Sequence, residues 1–424
     1  MMEFSLAHGL IVLVFLLGYV AIIVEHYTQI NKTAVALFVA VVCWSIQLVA
    51  KLEPANLQLV ALGDHVNHIA QIIFFLMGAM TIVELVDAHK GFKILTDCIQ
   101  TTSRRRLLVV VGVIAFFLSA VLDNLTTTIV MISLLRKLIP QKEERFLLSC
   151  LVVIAANSGG AWTPIGDVTT TMLWIDGRIS SIAIMKSLFL PSVVSLLVPL
   201  IFYWFVFKGR LQVKKEGGSD GELAPGAKLI LALGILALVF VPVFKALTGL
   251  PPFMGILIGL GVLWLVTDIV HRGWEKRSHL RVPHVLTKID MSGVLFFLGI
   301  LLCVDALQTA GLLKALANWL DATIPSQALI ATVIGILSAI IDNVPLVAAT
   351  MGMYSIEQFP PDHTLWHMIA YAAGTGGSIL IIGSAAGVAM MGMEKAHFIG
   401  YLRKASLPAL LGYLAGMGIY LLMR

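Results

Sequence analysis

Long apolar stretches separated by short polar segments dominate this chain. They fall at 10–24, 34–49, 69–86, 182–207, 229–244, 253–266, 294–304 with its flanks, and 407–423. At 1.5 Å per residue, about 20 helical residues cover a hydrocarbon core of about 30 Å. Backbone in lipid has to satisfy its own hydrogen bonds, so these stretches predict transmembrane helices. Two segments, 106–139 and 326–357, have a different rhythm. In the first, about 11 residues separate Asn124 from Arg136-Lys137, roughly 16 Å of helix. Such an arm reaches half way through the bilayer, which predicts a re-entrant hairpin with Asp123-Asn124 near the midplane. Pro345, just after Asp342-Asn343, breaks the second hairpin at the equivalent point. The competing arrangement is a short helical pair with its turn at the opposite surface.

The pattern occurs twice. At a shift of about 220 residues, Trp44 falls on Trp264 and Gly78 falls near Gly299, with Glu84 and Asp305 following in step. Ser119-Ala120-Val121-Leu122-Asp123-Asn124 matches Ser338-Ala339-Ile340-Ile341-Asp342-Asn343, and glycine-rich stretches follow both, at 157–166 and 374–383. Matches in order at a nearly constant offset indicate duplication. The predicted organisation is repeat one at 1–207, a solvated linker at 208–228 and repeat two at 229–424. Crossings are expected at 9–27, 32–50, 68–87, 146–175 and 182–207, then at 229–247, 251–270, 289–310, 364–394 and 405–423. An odd number per repeat makes the copies inverted. The expected fold is an all-α polytopic membrane protein: two inverted repeats of five transmembrane helices, each with a re-entrant hairpin and a broken helix.

Composition supports this reading, with 59% hydrophobic and 12% charged residues, about half the charge of a soluble domain. Mean hydropathy is +0.95. The net charge of +5 would suggest nucleic acid in a soluble protein. Here the basic residues sit in short loops beside the spans and read as topology signals, so lipid is the expected partner and nucleic acid is not. The parse puts 23 of the 29 lysines and arginines on one side, which is then cytoplasmic, with both termini on the outer side of a bacterial inner membrane. The first apolar run lacks a basic leader and reads as a retained span. Cys43, Cys98, Cys150 and Cys303 show no C-x-x-C spacing, which argues against a metal cluster or a disulfide scaffold.

Ionisable residues inside spans are costly and point to function. The strongest are Asp123, Asp167 and Asp342. Neutral oxygen donors accompany each: Asn124 with Thr126, Thr127 and Thr128; Thr169 and Thr170; Asn343 with Ser338. Such oxygens suit a hard cation rather than a soft metal. The glycines at 157–167 and 374–384, with Pro164, predict unwound backbone lining a polar cavity, and Asn157 and Thr163 lie on the first of these stretches. Close helix packing is the competing use of Ser158-Gly159-Gly160. Burial favours a protonated carboxylate and a bound cation favours an ionised one. A single group then holds either H⁺ or Na⁺. Glu84 and Asp305 have no nameable partners, Glu25 and Asp87 are expected at the inner interface, and His65, His68 and His89 are expected at the surface in or near loops.

At these motifs the sequence resembles the NhaD-type sodium/proton antiporters, within a superfamily that includes arsenite permeases and divalent-anion/sodium symporters. The resemblance runs from Glu25 and Ile30-Asn31-Lys32 through 119–128, 157–171 and 338–343 to 374–383. It implies Na⁺ (and Li⁺) exchange for H⁺ with no cofactor, and a homodimer in which each protomer has a scaffold part and a mobile transport part. It also implies functional positions at Asp123, Asn124, Asn157, Asp167, Thr169, Thr170, Ser338, Asn343 and a serine near Ser378. The second half departs from the first, with Val344-Pro345-Leu346 in place of Leu125-Thr126-Thr127. This predicts that the first half holds more of the ion ligands. The competing functions are a sodium-coupled dicarboxylate symporter or arsenite permease and, more remotely, an intramembrane aspartyl protease. Acids at both hairpin tips, without a basic residue at that depth, favour the cation carrier and no enzymatic reaction.

Overall fold

The computed structural model describes residues 5–52, 54–96, 103–207, 209, 223–324 and 326–424, which fold into helices joined by turns. In chain order the principal helices are α1 (Leu6–Ile23), α2 (Lys32–Ala50), α3 (Ala55–Ala88), α4 (Arg104–Ser119), α5 (Asn124–Leu138), α6 (Lys142–Gly160), α7 (Val168–Ile175) and α8 (Ser181–Val206). They continue as α9 (Ala227–Thr248), α10 (Pro252–Val270), α11 (Met291–Thr309), α12 (Leu312–Thr323), α13 (Gln327–Leu337), α14 (Asn343–Met353), α15 (Thr364–Gly376), α16 (Ala385–Glu394) and α17 (Phe398–Leu422). Eight of these (α1–α3, α8–α11 and α17) are long and apolar enough to cross a membrane. Large apolar side chains such as Leu13, Phe38, Val49, Leu247 and Ile269 point outward, which water would penalise and lipid does not.

The shorter helices form two sets. α4 and α5 meet at a turn over 120–123, and α13 and α14 at one over 338–342. α6 and α7 are separated by non-helical backbone at 161–167, α15 and α16 by 377–384. The breaks fall within the stretches expected from sequence but are shorter: 157–160 and 374–376 remain helical, so Asn157 and the first glycines belong to α6 and α15. Their local cause is capping. Asp123, Asp167 and Ser384 have extended backbone, and together with Asp342 each accepts an N–H from the helix it precedes. A side chain in this role starts a new helix.

Small residues let the broken helices sit deep. α6 is buried continuously from Leu148 to Gly160 and α15 from Leu365 to Gly376. A side chain at Gly159 would collide with the Phe116 carbonyl, and one at Gly376 with the Gly335 carbonyl. Backbone therefore lies against backbone, α6 on α4 and α15 on α13. Two serines fasten these contacts: Ser119 Oγ donates to the Ala156 carbonyl at 2.6 Å, and Ser338 Oγ to that of Ala373 at 2.9 Å.

The long helices are fastened to one another. α2 and α11 run side by side in the same direction, and three side chains of α2 donate to backbone carbonyls of α11. Thr33 donates to Ser292 O at 2.9 Å, Trp44 to Leu302 O at 3.0 Å and Gln47 to Ala306 O at 2.6 Å. Two arginines tie the short helices together at their far ends. Arg145 Nε meets both oxygens of the buried Glu394, at 2.9 and 2.8 Å, and so binds the end of α16 to the start of α6 beside the α5 terminus. Arg178, just beyond α7, donates to the carbonyls of Tyr354 and Met351 at 2.7 and 2.9 Å and lies over the Trp366 ring.

Two expectations need correction. The crossing expected at 68–87 belongs to a helix that begins at Ala55, because polar residues in its first turns find partners; His65 Nδ1, for one, lies 3.2 Å from the Asp305 carboxylate. His89 is not at the surface. It is fully buried against His271. The linker expected at 208–228 lies largely outside the described residues, as does Cys98.

Candidate cation site

Four helix starts converge on one cavity. Asp123 caps α5, Asp167 caps α7, Asp342 caps α14 and Ser384 caps α16. The three aspartates and Ala385, the neighbour of Ser384, line a cavity of about 200 Å³. Its other end reaches Glu25, Asn31, Lys32, Asp290 and Ser292, at the starts of α2 and α11, and Phe75, Phe297 and Ile165 wall it between. Helix starts carry a partial positive charge. Each aspartate answers it with a built-in anion.

Asp167 is the centre of the network and is 1% exposed. Its Oδ1 accepts from the backbone N and the Oγ1 of Thr169, both at 2.8 Å. Its Oδ2 accepts from Asn124 Nδ2 at 2.7 Å, and Asn343 Nδ2 reaches both oxygens at 3.4 Å. The two hairpin asparagines, far apart in sequence, thus meet on one carboxylate. Asn124 also donates to Asn157 Oδ1 at 3.0 Å, and Asn157 Nδ2 donates to Ser384 Oγ at 3.0 Å. Thr170 Oγ1 donates to the Asp167 carbonyl at 2.9 Å.

The remaining expected residues sit around this network rather than in it. Asp123 lines the cavity but is held by Thr126, through its backbone N at 2.6 Å and its hydroxyl at 2.8 Å. Asp342 also lines it and accepts from Val344 N at 3.2 Å. Ser338 is spent on the Ala373 carbonyl. Ser378 donates to Thr375 O at 2.7 Å, and its own carbonyl accepts from Tyr401 at 2.7 Å. Both serines shape the backbone of the second break. Sequence reasoning missed Ser384. The available signal was its offset of about 217 from Asp167, the spacing shared by the two Gly-rich stretches.

Beyond the cavity, Asp305 has a partner in His65, whose Nε2 also lies 3.3 Å from Thr309 Oγ1. Glu25 accepts from the backbone N of Lys32 at 3.1 Å. At the ends of α3 and α10, His89 and His271 face each other with Nε2 atoms 2.9 Å apart. His89 Nδ1 lies 2.7 Å from the Leu85 carbonyl and must donate to it. Burial keeps both rings neutral, so the Nε2 of His89 accepts and that of His271 donates. Burial holds His89 below its ordinary value. Burial, with His89, Arg277 and Arg281 nearby, lowers His271 from 6.5 to about 4.

A polytopic helical protein whose acid-lined cavity ends among broken helices has the build of a secondary carrier. The citrate transporter family matches residues 19–370, and the chain belongs to that family. It is 56% identical to sodium/proton antiporter 1 of Arabidopsis thaliana over 411 residues, 96% of this chain and 71% of that one. It is 53% identical to sodium/proton antiporter 2 of the same plant, over 96% of this chain and 98% of that one. With the Na⁺/H⁺ antiporter NhaD of Vibrio cholerae it shares 29% identity over 97% of this chain and 91% of the relative. The resemblance to sodium/proton antiporters expected from the motifs is borne out.

Proposed function

We propose that this protein exchanges Na⁺, and Li⁺ by the same chemistry, for H⁺ across its membrane by alternating access. One observation carries the reading: a single buried carboxylate, Asp167, lies at the end of a cavity where amides from both hairpins converge. Dry surroundings favour the protonated form of a carboxyl group, and a cation beside it favours the ionised one. Release of one ion is thereby tied to uptake of the other. Asn124 and Asn343 give their N–H groups to Asp167, so their amide oxygens are free to face a cation, as are the carboxylates of Asp123 and Asp342. Thr126, Thr169, Thr170, Asn157, Ser338 and Ser378 hold these groups and the backbone around them. The oxygens suit a small hard cation.

The family description raises an anionic substrate as the alternative. Helix starts do attract anions. In this chain three of the four helix starts facing the cavity are already occupied by its own carboxylates, which leaves an incoming anion facing like charge. The symporter and protease readings are not favoured.

We read 1–207 and 229–424 as inverted copies, with 106–139 and 326–357 as re-entrant hairpins. Supporting this, Ser119 and Ser338, Gly159 and Gly376, and Asp167 and Ser384 make corresponding contacts in the two halves. On the basic-loop asymmetry we read both termini as outside, the membrane as a bacterial inner membrane, and the protein as the homodimer in lipid that the resemblance to NhaD-type antiporters implies. In everted vesicles holding a proton gradient, Na⁺ or Li⁺ should dissipate the gradient, and Asp167→Asn should abolish the response. Sodium uptake that requires citrate or another carboxylate would overturn the reading.

A further inference from the structure

Three of the four helix starts at the cavity carry a carboxylate, and the fourth carries a hydroxyl. Ser384 stands in the second broken helix where Asp167 stands in the first, with nearly the same backbone: φ −148°, ψ 156° against φ −144°, ψ 149°. Both accept an N–H from their own helix, Ser384 from Gly387 at 3.3 Å and Asp167 from Thr169 at 2.8 Å. Ser384 is 1% exposed, and its oxygen also takes the Nδ2 proton of Asn157 at 3.0 Å. That bond turns the Asn157 oxygen toward Asn124, which in turn holds Asp167. The hydrogen-bonded chain from Ser384 through Asn157, Asn124 and Asp167 to Asn343 and Thr169 therefore contains one ionisable group.

We propose that Ser384 tunes specificity: its neutral cap keeps a fourth carboxylate out of a cavity that Asp123, Asp167 and Asp342 already line, which holds down affinity for divalent cations, and its oxygen orients Asn157. The proposal deepens the exchange reading and rests on it. The physical ground is charge count. Sites for divalent ions such as Ca²⁺ gather several carboxylates, and affinity follows their number. A carboxylate at 384 would add a negative charge to the hydrogen-bonded network of Asp167, in a medium too dry to screen it. The duplicated architecture already has room for an acid at that cap, because the first half places one there.

The test uses the full-length protein in everted vesicles. Ser384→Asp should make Na⁺-driven gradient dissipation sensitive to Ca²⁺, with inhibition at a concentration ~10-fold or more below that needed for the unmodified protein. Asn157→Asp adds the charge at the other end of the same bond and should do likewise, so the charge count is still tested if Ser384→Asp does not reach the membrane. Ser384→Ala should raise the half-saturating Na⁺ concentration ~3–10-fold through the misplaced Asn157, and Ser384→Thr should restore it. Unchanged Ca²⁺ sensitivity in both acidic variants, or an unaltered Na⁺ dependence in Ser384→Ala, would overturn the proposal. Asp167→Asn serves as the separate control: if that variant transports normally, the exchange reading itself fails.

Discussion

The two hairpin tips approach the same carboxylate, yet they are built differently. In the first, Asp123 is tied twice to Thr126, and Asn124 sits 2.7 Å from Asp167. In the second, Asp342 has one bond, at 3.2 Å, to Val344 N. Pro345 follows, and Asn343 stays 3.4 Å from either oxygen of Asp167. Proline costs little in the first turn of a helix because its missing N–H has no partner there anyway. The second tip is thus a permitted helix start with no side-chain hydroxyl to fix its acid. One tip grips and the other touches. Similar elements need not share a task equally, and the asparagines are what the two tips have in common.

The largest effects should come from the fastenings behind the tips. Glu394→Ala strands Arg145, and with it Arg136, whose Nε lies 3.7 Å from Glu394. Breaking a buried ion pair costs on the order of 3 kcal/mol. Arg178→Lys, behind the second tip, keeps a charge for Asp176, 2.6 Å from Arg178 Nε, but gives up the planar fork to the Tyr354 and Met351 carbonyls and should cost about 1–2 kcal/mol. Thermal unfolding in detergent measures both, and equal losses would break the comparison. Next come the amides. A hydrogen bond to a charged group is worth about 1.5–3 kcal/mol, so Asn124→Ala should lower exchange roughly 10- to 100-fold. Asn343→Ala, at its longer distance, should lower it less than about 10-fold. A reversed order in the vesicle assay would show that the second tip is the gripping one.

The smallest effect supplies a control remote from both tips. His89 and His271 are held neutral by burial, with folded-state values below the ordinary 6.5. The unfolded chain takes up protons first as pH falls. The stability from this pair is therefore complete above about 6.5 and lost as pH drops toward about 4. Melting temperatures between those limits should fall in parallel for the Asn124 and Asn343 variants, and His271→Gln should flatten the slope in both.

Much of this was legible in the residues because membrane insertion leaves few options. Apolar length marked the spans, and glycine, proline and aspartate marked the breaks. Asp123, Asp167 and Asp342 stood out because a charged group in such surroundings demands a reason. What escaped notice was neutral or locally polar. Ser384 looks like any small residue in a glycine-rich run until Asn157 is seen to donate to it. The polar residues 64–68 suggested a loop, since the distant Asp305 and Asp176 that accompany His65 and His68 cannot be read from local pattern. His89 looked superficial for the same reason: its partner lies 182 positions away.

The three bonds that α2 donates to α11 also bear on what stays still. In lipid no water replaces a lost donor, so sliding one helix past the other would mean giving up Thr33, Trp44 and Gln47 together. The lowest rung, Thr33 to Ser292, borders the cavity beside Asn31 and Asp290. The doorway therefore has a fixed frame. Whatever carries an ion through it must move behind that frame, with the jamb held in place.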